Sequence, residues 1–146
     1  MPHLVILYSG NLEAQTDMTR HCRCLADTLL ALKDEAGQQV FPTGGVRVLA
    51  YPSAHHAVAD GQGDYGFVYL NLRMARGRSA AVHAQAGQAL AAAARLHFEP
   101  LVAQRPVGVT LQIDEGTEVF DAKYSTLHPL FAKALASEHA NPGSLA

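Results

Sequence analysis

The sequence predicts an α+β fold in which two β-α-β units form one four-stranded sheet carrying two helices on one face. Three observations carry that expectation. The order strand, helix, strand occurs twice along 146 residues. Both helical segments place apolar residues at helical spacing, and the third and fourth strands alternate residue type with period two.

The first strand is the apolar run from Pro2 to Tyr8, and Ser9-Gly10-Asn11 supplies a turn and an N-cap. Met18, Cys22, Leu25, Leu29 and Leu32 follow at spacings of 4, 3, 4 and 3, one apolar stripe of a helix ending near Gly37. Val46 to Tyr51 is the second strand, and Pro52 to Asp64 is a loop or a single turn. On the third strand, Tyr65 to Arg73, one face carries Gly66, Val68, Leu70 and Leu72, continued by Met74. The other carries Tyr65, Phe67, Tyr69, Asn71 and Arg73. Gly77 makes a turn and Ser79 caps a second helix in which Val82, Ala86, Leu90, Ala94 and Phe98 recur every four residues, with Pro100 at its end. Val107, Val109, Leu111 and Ile113 alternate along the fourth strand. The tail from Asp114 onward, with Leu127, Leu130, Phe131 and Leu135, is expected to form a short helix that wraps a neighbour. The chain thus divides into one domain over 1–136 and a flexible tail over 137–146.

Composition narrows the function. A hydrophobic share of 49% with 16% charged residues suits a globular protein with a sizeable core. The formal charge of −2 argues against nucleic acid or an anionic membrane as partner. No apolar run approaches the roughly 20 residues of a membrane span, and the N-terminus lacks the basic region of a signal peptide. Cys22 and Cys24 point to different faces of a helix, so they read as reduced thiols of a cytoplasmic protein, with Cys22 in the core. The histidines show no metal-ligand spacing, and the expectation is that no metal or cofactor is used.

With both helices on one face, the aromatic third-strand face (Tyr65, Phe67, Tyr69) remains uncovered. Either it closes an oligomer, as monomers avoid such patches, or it is a binding face. Pro2 is the residue with the most chemical promise. It is either an ordinary first strand residue or, once Met1 is removed, a secondary amine. A free α-amine titrates at roughly 7.7–8.0, and burial beside cations lowers that value toward the range of a working base. Arginines gather at Arg73, Arg76 and Arg78, the last just before a helix N-terminus, where backbone N–H groups already favour an anion. Arg47 alternates with Val46 and Val48, which places it on the face away from the helices.

Met1-Pro2-His3, Gly45-Val46-Arg47, the stretch from Ala59 to Val68, Gly77-Arg78-Ser79 and Gln85-Ala86-Gly87 together resemble the 5-carboxymethyl-2-hydroxymuconate Δ-isomerase family of the tautomerase superfamily. The resemblance runs from Pro2 to about Phe131. It implies a tautomerase-like homotrimer with sheets facing inward, acting without a cofactor in homoprotocatechuate breakdown. The implied substrate is a dienol with three carboxylates. Pro2 would be its base and acid, and Arg47 and Arg78 would bind its carboxylates. A small-acid-binding or regulatory trimer that has kept the fold without catalysis is the alternative, and a purely structural trimer is a third reading.

Overall fold

The computed structural model describes residues 2–132. The expected domain boundary at 136 and the tail residues from 133 onward lie outside the described residues. Strand β1 (His3–Ser9) is followed by a 3₁₀ turn (Gly10–Gln15) and helix α1 (Met18–Ala31), then by β2 (Arg47–Ser53). Strand β3 (Gly66–Ala75), helix α2 (Ala80–Val102) and β4 (Val107–Gly116) repeat the pattern. The sheet order is β2-β1-β3-β4, with both β-α-β pairs parallel and the two units joined antiparallel through β1 and β3. Pro2 therefore heads an interior strand.

Alternation decides the two faces. Leu4, Ile6 and Tyr8 of β1 and Val68, Leu70, Leu72 and Met74 of β3 join Leu25, Leu29, Ala86, Leu90, Ala94 and Phe98 in one core. Val46, Val48 and Ala50 pack against the same core, so Arg47 sits on the helix-free face as its alternation predicts. On that face Leu7, Leu49 and Tyr51 are 43%, 43% and 50% exposed in the single chain. Cys22 packs against the core only in part, and Cys24 is exposed.

Three boundaries differ from the sequence expectation. Ser9 does not cap α1; its Oγ accepts the Phe67 N–H at 3.0 Å, while Asp17 caps the helix by accepting the Arg20 N–H at 3.0 Å. The 3₁₀ turn between them explains the shift. Helix α1 stops at Ala31, and Gly37 (φ +76°) serves a tight turn in which Asp34 accepts the N–H groups of Ala36 and Gln38, both at 2.9 Å. Pro100 lies within the last turn of α2 rather than ending it, since proline there forfeits one hydrogen bond near a fraying end. The segment over 127–132 is helical, but Leu127, Leu130 and Phe131 remain exposed in the single chain.

One core residue is polar. His21 is fully buried, and neither ring nitrogen has a hydrogen-bond partner among the described residues. Its ring stacks on His97 at 4.1 Å and meets Phe98 edge-on. Burial, then the neighbouring His97, lowers its pKa from 6.5 to about 4. Burial lowers His97 as well, with Asp17 opposing and Arg20 assisting. The unfolded chain binds the His21 proton more tightly, so this contribution to stability is complete above pH 6.5 and is lost as pH falls toward 4. The melting temperature should drop through that window, His21 alone contributing roughly 3 kcal/mol. His21→Phe, which keeps an aromatic ring in the stack, should flatten the drop. An unchanged slope in thermal melts across pH would refute the assignment.

Candidate active site

The site is built at the end of the sheet where β1 and β2 begin and β3 ends. Pro2 is buried, and its carbonyl accepts the Arg47 N–H at 3.4 Å. His3, the next residue, pairs with Arg47 on one side and Arg73 on the other. Burial lowers the His3 pKa first, and the Arg47 charge adds to it, so both disfavour an imidazolium next to Pro2.

Arg47 is half-buried, and its Nη1 donates to the Gly45 carbonyl at 3.1 Å. Gly44, one residue earlier, is needed for a close approach. A Cβ there would lie 3.0 Å from the His128 nitrogen and 3.1 Å from its Cα, both backbone atoms. The chain leaves β4 at Gly116, which lies against the Arg73 guanidinium, and returns to Gly44 at residues 127–128. Residues 117–126 therefore strap the sheet end from the β4 edge to the β2 edge. With Arg47, residues 121–128 line an open cavity of about 420 Å³.

Arg78 is anchored separately. Gly77 adopts φ +108°, which L side chains rarely take, and turns the chain out of β3. The Arg78 Nη1 then donates to the Ala75 carbonyl at 3.1 Å, and its Cζ lies 4.7 Å above the ring of Phe41, a fully buried residue. Burial disfavours the guanidinium charge and Glu115 opposes that effect. Beyond Arg78, Ser79 caps α2 by accepting the Val82 N–H at 3.2 Å. The anion position expected at this helix start receives a carboxylate of the protein itself: Ser79 donates to Glu35 Oε1 at 2.7 Å. That bond lowers the Glu35 pKa.

The structure thus sets Pro2 and Arg47 side by side. Arg78 is braced on the core-facing side by Phe41, and the two arginines hold different carbonyls. Sequence reading had no signal for Phe41, Glu35 or the strap. Gly44-Gly45 was the only local hint of the strap's seat.

A duplicated β-α-β sheet whose interior strand opens on a buried proline is the tautomerase fold. The chain belongs to the 5-carboxymethyl-2-hydroxymuconate isomerase family, whose sequence profile matches residues 2–131. The 5-carboxymethyl-2-hydroxymuconate Delta-isomerase of Escherichia coli is 29% identical over 131 residues, covering 90% of this chain and 99% of that protein. A crystal structure of a 5-carboxymethyl-2-hydroxymuconate delta-isomerase is 59% identical, with a TM-score of 0.86 over 90% of this chain and 93% of the other. A 5-carboxymethyl-2-hydroxymuconate isomerase from Deinococcus radiodurans R1 is 32% identical, with a TM-score of 0.78 over 89% and 93%.

Proposed function

We propose that this protein is a cofactor-independent isomerase that ketonises 5-carboxymethyl-2-hydroxymuconate, or a dienol polycarboxylate of the same class. The observation that carries the reading is the burial of Pro2 at the head of an interior strand, bonded through its carbonyl to the backbone of Arg47, in a chain 59% identical to a protein of that activity. The related proteins are named as isomerases, which leaves the non-catalytic alternative without support.

With Met1 removed, Pro2 carries a secondary amine. In the proposed reaction this nitrogen takes the proton of the 2-hydroxyl, electrons shift through the diene, and the same nitrogen returns a proton to carbon 5. Substrate and product are isomers, so the step balances without any co-reactant. Charge grows on the 2-oxygen and its neighbouring carboxylate. Arginines already fixed to backbone carbonyls, as Arg47 and Arg78 are, oppose that charge without reorganising. They also hold the carboxylates in register with the amine.

The helix-free face supports a homotrimer in which sheets meet, since Leu7, Leu49 and Tyr51 would otherwise leave a large wet apolar patch. No helix among the described residues is long and apolar enough to cross a membrane. A cytoplasmic setting fits the reduced thiols of Cys22 and Cys24. The reading is tested by following loss of dienol ultraviolet absorbance with purified protein, and by its mass in sedimentation equilibrium. Turnover by a three-chain particle is the expected result. Absence of turnover in a chain shown by mass spectrometry to start at Pro2 would reject the isomerase.

A further inference from the structure

The cavity beside Arg47 has one other full cation in its wall. Of the lysines and arginines among the described residues, Lys123 alone shares it with Arg47; the remaining wall is Asp121, Ala122 and residues 124–128. We propose that Lys123 is a third anion anchor of the site, taking the carboxylate on the substrate's carboxymethyl arm. The inference rests on the isomerase reading above and extends it to substrate selection.

The count of charges motivates it. A carboxymethyl-substituted muconate carries two carboxylates at the ends of its chain and one on its arm. Arg47 and Arg78 answer two of them, each as a fork suited to a carboxylate. The arm branches from carbon 5, so its carboxylate needs a partner apart from the two that hold the chain ends. Lys123 is on the strap that crosses the sheet end, in the cavity wall it shares with Arg47. That strap is seated at both ends: Gly116 lies against Arg73, and the backbone at 127–128 lies against Gly44. Lys123 also forms an ion pair with Asp121 two residues before it. An ammonium has three donors, so one can hold Asp121 while the others face a ligand. Asp121 makes Lys123 a held cation rather than a freely swinging one, and with Arg47 leaves the cavity with a net positive charge.

Arg73 is the competing candidate, since it shares a cross-strand row with Arg47 and His3. It lies instead over Gly116 at the β4 side and is not part of the cavity wall.

The test uses two saturated, unreactive probes, pentane-1,2,5-tricarboxylate and adipate, which differ by the carboxymethyl arm. Calorimetric titration of the wild type, Lys123→Met and Lys123→Arg reports binding whether or not a variant turns over. Lys123→Met should weaken the tricarboxylate on the order of tenfold and change adipate by less than about twofold, while Lys123→Arg keeps the tricarboxylate near wild type. Equal weakening of both probes would make Lys123 a wall residue only, and no change in either would remove it from the site. Both outcomes overturn the proposal. Dienol turnover by the wild type, measured separately, judges the isomerase reading itself. An active enzyme with unaltered binding in Lys123→Met would sink Lys123 alone.

Discussion

Replacing Pro2 with alanine should lower kcat by roughly 10²-fold while leaving KM within a few-fold, the size of effect expected for a positioned acid–base group. Alanine at position 2 still exposes an α-amine after Met1 is removed, so the variant does not lose its base outright. It loses the ring that fixes the nitrogen in its buried place at the head of β1. It also gains an extra N–H, which water solvates in the protonated form. A chain forced to retain Met1 should fare worse. There the Pro2 nitrogen is a tertiary amide with no basicity, and the loss should approach 10²–10⁴-fold. Neither change touches Arg47 or Arg78, so substrate binding should persist. Steady-state ultraviolet assays, with mass spectrometry to establish the first residue, decide the matter. Equal rates in wild type and in the chain that retains Met1 would exclude the Pro2 nitrogen as the proton carrier, while equal rates in Pro2→Ala would show only that the ring is dispensable.

Arg78→Ala is expected to reduce kcat/KM by roughly 10²–10³-fold, in the range seen when one preorganised donor to developing charge is removed. The structure adds a sharper expectation, that Arg78→Lys will not restore the rate. The Arg78 guanidinium is held between the Phe41 ring, 4.7 Å away, and the Ala75 carbonyl, 3.1 Å away. A planar fork can satisfy both and still present donors outward; an ammonium on a flexible stem cannot. Lysine should recover less than about a tenth of the lost activity. Thermal melts should show little change in Arg78→Lys, because Phe41 stays buried in the core. Full rescue by lysine would mean that only net charge is needed there.

Strand positions were legible because alternation is local. The third strand's two faces, and the placement of Arg47 opposite Val46 and Val48, follow from period-two geometry and hold in the structure. Caps and breaks were less legible, because several residues compete for each role. Ser9 and Asp17 are both good N-caps by type. The choice fell to Asp17 because a 3₁₀ turn separates Ser9 from α1, and the Ser9 hydroxyl accepts from the backbone of β3 instead. Pro100 looked like a terminus, yet its place in the final turn of α2 lets the helix absorb it.

The amino-acid sequence alone determined the duplicated β-α-β architecture, the identity of the buried and uncovered sheet faces, and the proline that leads the first strand. Each of these follows from spacing along a short stretch of chain. Only the tertiary structure decided that Arg78 lies on Phe41, that Glu35 occupies the start of α2, and that the strap over Arg47 is seated on Gly44. Those contacts join residues far apart in sequence, where the deciding quantity is how closely two backbones or a ring and a cation approach, and no periodicity encodes that distance.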